Sequence, residues 1–161
     1  MSLPPELDFD RLTIDDKYHR AVPGYMKRIA DLYAAVADRF GEEGLALIRE
    51  VSCEYGRRIA ENVQKKGELK GVAEVGRYLL KVFDMVSDDW RIDEFNEDRL
   101  VISVSRCPYP FEREEICRAH THMEKTLVAT LDDSLEHRVG KMIPRGDRCC
   151  EHIVVRKKSS P

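Results

Sequence analysis

The stretch from Leu100 to Cys117, LVISVSRCPYPFEREEIC, holds the change of period on which the fold turns. Leu100, Ile102 and Val104 alternate with Val101, Ser103 and Ser105, the two-residue repeat of a strand with one buried face. Pro108 and Pro110 stop that strand, because proline has no N–H to offer a ladder. The repeat then lengthens. Ile116, His120, Met123, Leu127 and Leu131 fall along one side of a helix expected over 112–131, broken by Asp132-Asp133-Ser134.

Upstream, three amphipathic helices are expected. The first carries Tyr25, Ile29, Leu32, Tyr33, Val36 and Phe40 and stops near Gly41. The second starts at Glu42, whose carboxylate suits a helix N-terminus, and places Leu45, Ile48, Val51, Tyr55, Ile59 and Val63 inward before Gly67. The third, over 70–86, turns Val72, Val75, Leu79, Val82, Phe83 and Val86 to the core. Downstream, 135–143 and 149–156 read as strands joined by a hairpin-type turn at Pro144-Arg145-Gly146-Asp147, and Trp90 to Phe95 adds an edge strand. Helices first, then strands grouped with one helix, give an α+β fold: N-terminal amphipathic helices packed on a C-terminal antiparallel sheet with one intervening helix. Residues 1–23, rich in Pro, Asp and Glu, read as an irregular arm ending at Pro23-Gly24. Residues 24–157 form a single domain, and 158–161 a tail.

Composition narrows the function. A chain of 161 residues fits one domain that buries roughly two thirds of its unfolded surface and needs no disulfides. A net charge of −3 supplies no basic field for nucleic acid, and Arg156-Lys157-Lys158 reads as a solvated run. No run approaches the ~20 apolar residues of a membrane span. No basic segment followed by an apolar one opens the chain, so a secretory signal is not expected. Five cysteines, two of them adjacent, suit an intracellular chain that uses thiols as ligands or nucleophiles, and a cytoplasmic location is expected.

The main chemical signal is the clustering of soft ligands between Arg106 and His152. Cys107, Cys117, Cys149 and Cys150 lie there, with His120, His122, His137 and His152, whereas the first hundred residues hold only Cys53 and His19. Cys107 ends a strand, Cys117 starts a helix and Cys150 follows a turn, so the three can converge at one edge of the sheet. A helix N-terminus lowers a thiol's pKa from ~8.5, which favours Cys117 and Cys107 as ligands or nucleophile. Cys117 and His120 share a helix face while His122 points elsewhere, and Cys150, His152 and Val154 share a strand face that Cys149 does not.

Cys107, Cys117, Cys150 and a histidine, His120 or His152, match a tetrahedral zinc site in ligand type, and iron or an iron–sulfur cluster accepts the same thiolates. The spacing lacks the paired C-x-x-C of a zinc finger. Two other readings stand beside metal: buried cysteines acting as small hydrophobes, and a catalytic or redox thiol without an ion. His120 is a candidate general base. His19, His122 and His137 read as solvated, Cys53 as filler, and Asp147 as a turn former. Tyr109 and Phe111 flank the cysteine-bearing turn and wall a pocket or cover the core.

The run RFGEEGLALIREVSCEYGRRIAE (39–61), then ISVSRCPY (102–109), a helix-start Cys117 and PRGDRCCEHIVV (144–155) resemble the L-2-amino-thiazoline-4-carboxylate hydrolase-like family. That family is in turn similar to vinyl-reductase-type small-molecule-binding domains. The resemblance covers roughly 25–157 and implies a helical N-terminal half on an antiparallel sheet. It puts motif cysteines at Cys107, Cys117 and Cys150, with Gly146 and Asp147 in the turn before the last. It implies opening of a thiazoline ring by water at a carbon–nitrogen bond, or, in related domains, ligand sensing beside a structural cysteine–zinc site. His152, where an aromatic residue is usual, and the extra Cys149 depart from the pattern.

Two functions follow as expectations. One is a hydrolase of a cyclic C–N bond, with Cys107 and His120 as its catalytic pair. The other is a non-catalytic module that binds a small-molecule ligand. Neither needs nucleic acid or membrane, and apolar positions left outward on the first helices would suit a homodimer.

Overall fold

The computed structural model describes residues 12–87 and 89–158. Helix α1 (Ile14–Gln64) begins at a reciprocal cap: the Asp16 N–H donates to Thr13 Oγ1 (3.1 Å) and the Thr13 N–H to Asp16 Oδ2 (3.3 Å). This cap corrects the expected arm. Residues 14–23 are helical and Pro23 lies inside the helix, while 1–11 fall outside the described residues. The break expected at Gly41 is present, with φ 56° and ψ −129°, a conformation open to glycine and closed to residues with a Cβ. It divides α1 into limbs 14–40 and 42–64. The limbs fold so closely that a Cβ on Gly44 would lie 2.5 Å from the Val36 carbonyl oxygen.

The buried face of α1 is made of small residues: Ala30, Ala37, Gly44, Ser52, Gly56 and Ala60, with Leu45 and Ile48. Small residues let α1 meet its neighbours backbone to backbone. A Cβ on Gly56 would stand 2.3 Å from the Met123 carbonyl oxygen of α4. Leu32, Phe40, Val51 and Tyr55, expected inside, are therefore about half exposed, at 59%, 52%, 51% and 49%.

Helix α2 (Gly71–Asp84) buries Val72, Val75, Leu79 and Phe83 as expected. Strands β1 (Trp90–Phe95) and β2 (Arg99–Val104) follow, then α3 (Glu114–His120) and α4 (His122–Leu131). The single helix expected over 112–131 is divided at Thr121, where ψ is −3° and the hydroxyl donates to the Arg118 carbonyl (3.0 Å). Strands β3 (Leu135–Val139) and β4 (Cys150–Arg156) complete an antiparallel sheet in the order β1-β2-β4-β3.

The link between β3 and β4 is a longer loop than the expected hairpin turn. It contains a 3-10 turn at Ile143–Arg145 and is held by the Met142 N–H donating to Asp147 Oδ2 (2.8 Å). The α+β architecture stands as expected. Its main core lies between Leu100, Ile102, Val104, Leu135 and Val154 of the sheet and Val72, Val75, Leu79, Leu127, Val128 and Leu131 of the helices. Among the described residues, no helix is long and apolar enough to cross a membrane.

Candidate functional site

The packing of α1, α2, α3–α4 and β4 leaves a cavity of about 390 Å³, within the ~300–1,000 Å³ typical of small-molecule pockets. Its walls are mainly apolar: Ile59 from α1, Leu79, Val82 and Phe83 from α2, Met123 and Leu127 from α4. Cys107, Cys117, Cys150, His120 and His152 also line it, so the structure brings all five sequence-derived site residues to one space. Tyr109 and Phe111 wall it too. A neighbouring recess of about 400 Å³, lined by Tyr18, His19 and Arg106, shares Met26 and Cys107 with it. Of the five site residues, Cys107 alone also lines this recess.

The register of β4 explains part of this convergence. Cys150 pairs with Val104, where β2 ends just before Cys107, so strand end and strand start lie side by side. The two thiols interact directly and share a proton when one ionises. Cys107 is held far above the ordinary thiol range, first because it donates to Cys150 and then by burial. Cys150 is lowered by that same donor, and the Ile143 N–H (3.3 Å) helps to offset its burial. The ionisable member of the pair is thus Cys150. Cys117 is pushed up to about 12, mainly by burial and then by Cys150, so the expected helix-terminus activation is outweighed. Cys149 is buried on the other side, and Cys53 is half-buried on α1. All five cysteines are free thiols.

The donor types fit zinc or iron, but the grouping does not. Among the described residues no three Cys, His, Asp or Glu side chains stand together as a ligand set for one ion. Cys107, Cys117 and Cys150 line one cavity without forming such a set.

His120 sits among aromatic rings, its centroid 4.4 Å from Tyr109, 5.0 Å from Phe111 and 5.9 Å from Tyr33. Both its ring nitrogens are sealed and have no hydrogen-bond partner. Burial, then His152, lowers its pKa to about 4, so the ring is neutral near pH 7. It makes no hydrogen bond to any of the three thiols, and a Cys–His nucleophile pair is not assembled.

His137, expected in solvent, is a correction: it is buried at 4% exposure, because β3 turns it under the sheet toward β4. Its Nε2 lies 3.1 Å from Nδ1 of His152, and burial holds its pKa well below the usual value. His152 is lowered to about 4 by burial and packs edge-on against Phe83 at 4.7 Å. His122 is half-buried and does not line the cavity.

Sequence reading missed Glu124. It lies in the first turn of α4, lines the cavity and has one carboxylate oxygen, Oε2, sealed without a partner. Burial raises its pKa to about 7. A signal was present: Glu124 is four residues beyond His120, and hence on the same side of a helical run.

No family model matches this sequence, and no curated protein is similar to it. Among solved structures, the chain is similar to subunit 3 of the trafficking protein particle complex from Naegleria fowleri, crystallised covalently bound to palmitic acid. The likeness has a TM-score of 0.57 at 14% sequence identity and covers 83% of this chain and 96% of that one. At that identity it is a likeness of fold.

Proposed function

We propose that this chain is a small-molecule-binding module whose ligand lies in the cavity between the helices and β4, with its apolar body along α2 and α4. One observation carries the reading: a mainly apolar cavity of ligand size holds sealed polar atoms with no partner, both nitrogens of His120 and Oε2 of Glu124. Buried polar groups are nearly always hydrogen-bonded, and a bound molecule supplies the missing partners. The palmitic acid named with the trafficking subunit supports an apolar ligand in this architecture.

Hydrolysis of a cyclic C–N bond, as in the L-2-amino-thiazoline-4-carboxylate hydrolase-like family, is the second reading, and the lowered pKa of Cys150 favours it. There the Cys150 thiolate adds to the C=N carbon, the ring nitrogen takes up protons and leaves as the ring C–N bond breaks, and water adds to the same carbon, gives up its two protons and expels the Cys150 thiolate. Two features weigh toward binding. Among the described residues no Lys or Arg lines the cavity to receive a substrate carboxylate, and neutral His120 makes no hydrogen bond to the thiols. A cysteine–zinc site built from Cys107, Cys117, Cys150 and His120 or His152 would be structural in the binding reading. The present grouping supplies no step through an ion. We place the chain in the cytoplasm on its free thiols. We assign a homodimer to the exposed Leu32, Leu47 and Val51 of α1, which sedimentation would test by mass.

The binding reading is tested by titrating the purified protein with octan-1-ol in a calorimeter. Saturable one-to-one binding is expected, lost when Val82→Trp fills the cavity in a protein that still melts cooperatively. Non-saturable uptake, unaffected by that variant, would overturn it. Elemental analysis and a thiol-release assay on 2-amino-thiazoline-4-carboxylate test the metal and hydrolase readings. Stoichiometric zinc that leaves with Cys150→Ser would support the first, and turnover lost in the same variant the second.

A further inference from the structure

The charged groups that line the cavity all have one sign. Among the described residues its titratable groups are Tyr55, Tyr78, Cys107, Tyr109, Cys117, His120, Glu124, Cys150 and His152, with no Lys or Arg. The histidines are neutral near pH 7, because burial lowers His120 and His152 to about 4. Tyr109 is pushed up to about 12 and Cys117 likewise, so both stay protonated. What remains able to ionise is anionic: the Glu124 carboxyl and the Cys150 thiol. The described lining of the cavity at neutral pH is therefore uncharged or negative.

Glu124 makes no ion pair with any Lys, Arg or His among the described residues, and its sealed oxygen has no donor. A carboxyl desolvated in this way gains strongly from a cation, which permits it to ionise and satisfies the orphaned oxygen. Aromatic rings line the same space: Tyr55, Tyr78, Phe83, Tyr109 and Phe111. Aromatic faces attract cations and are indifferent to anions, and cages of such rings recognise ammonium groups. The carboxyl also lies close enough to Tyr109 and Cys117 to raise both, which places it among those groups.

The geometry points to a ligand with a cationic nitrogen head, an ammonium or amidinium, on an apolar body, the head received by Glu124 among the tyrosines. This inference rests on the proposed binding cavity and adds the charge of its occupant. An anionic head, such as a free fatty acid's carboxylate, meets no positive partner there.

Three probes with one chain length separate the inference from the reading beneath it: octylammonium, octan-1-ol and octanoate, titrated calorimetrically at pH 8. Octylammonium is expected to bind at least tenfold more tightly than octanol, and octanoate more weakly than either. Glu124→Gln keeps the shape and removes the charge. It is expected to bring octylammonium down to the affinity that octanol shows for the same variant. Thermal melts of the variant check that the fold persists, and Glu124→Asp, which keeps the charge, should retain part of the preference. Equal binding of the three probes, tighter binding of octanoate, or a preference that survives Glu124→Gln would overturn the cation head and leave the cavity reading intact. Failure of all three to bind would remove both.

Discussion

Replacing His120 by leucine should make the unliganded protein more stable while destroying ligand binding. The His120 ring has about the volume of a leucine side chain and lies against Tyr109, Phe111 and Tyr33, an apolar setting that a leucine fills. Its two nitrogens have no partner, and a buried polar atom left unsatisfied costs about 1–3 kcal/mol. Removing both should therefore raise the unfolding free energy near pH 7.5 by about 1–3 kcal/mol, after allowing for imperfect packing of the new side chain.

Acid adds a second, independent handle on the same residue. An unfolded histidine titrates near ~6.5, whereas folded His120 titrates at about 4. Below ~6.5 the unfolded chain takes up a proton that the folded chain refuses, so the stability is full above ~6.5 and drains as pH falls toward 4. Between pH 6.5 and 4.5 this removes about 2 kcal/mol for His120. His152 and His137 act in the same direction. Glu124 acts in the opposite one, because its folded carboxyl holds a proton up to about 7 that the unfolded chain has released above ~4.5. The difference between His120→Leu and the parent isolates one histidine from the others. Urea denaturation at pH 7.5, 6.5 and 4.5 measures it: the gap in stability should widen by about 2 kcal/mol between the last two. A variant that is less stable than the parent at pH 7.5 and follows it in parallel into acid would refute the reasoning. His120 would then be a satisfied structural residue.

Three further outcomes are expected. Gly56→Ala should cost about 1–3 kcal/mol in urea unfolding despite alanine's better helix propensity, because its Cβ would meet the Met123 carbonyl at 2.3 Å and push α1 from α4. Gly41→Ala should lower the melting temperature, since φ 56° with ψ −129° costs a residue with a Cβ about 1–3 kcal/mol. Iodoacetamide followed by peptide mass spectrometry should modify Cys150 with a midpoint below the ~8.5 of a free thiol, and Cys107→Ala should move that midpoint upward by removing the donor. Equal midpoints in parent and variant would mean that the two sulfurs do not share a proton.

The fold was legible wherever burial follows period. The alternation from Leu100 to Val104 and the helical face of Val72, Val75, Leu79 and Phe83 describe layers that bury one side, and both lie in the core. Helix α1 was harder to read, because it packs through Ala37, Gly44, Ser52, Gly56 and Ala60, and hydrophobic periodicity looks for large side chains. Its start was hidden by Pro23, although Thr13 and Asp16 spell a cap ten residues earlier. At the site, residue type sufficed to gather Cys107, Cys117, Cys150, His120 and His152, since clustered soft ligands in separate elements had few other places to meet. Protonation was not legible. A helix start suggests an acidic Cys117, and only its burial beside Cys150 shows the reverse. Glu124 and His137 look like surface residues in a chain rich in charge, and only tertiary packing turns them inward.

On the binding reading proposed above, the sealed atoms weaken the fold when the cavity is empty. His120 contributes two, and Ser52, Glu124 and His137 one each, at about 1–3 kcal/mol apiece against the ~5–15 kcal/mol by which a domain is ordinarily stable. A ligand at a hundred times its Kd adds ~2.7 kcal/mol, and one that also satisfies His120 and Glu124 acts on the very groups that weaken the empty fold. The liganded protein should therefore unfold at a distinctly higher temperature than the empty one. The Glu124→Gln variant, free of the carboxyl's desolvation cost above pH 7, should narrow that gap by raising the empty protein and leaving the occupied one behind. If the gap stays the same, the carboxyl contributes equally to both states and the cavity's charge is not what it selects by.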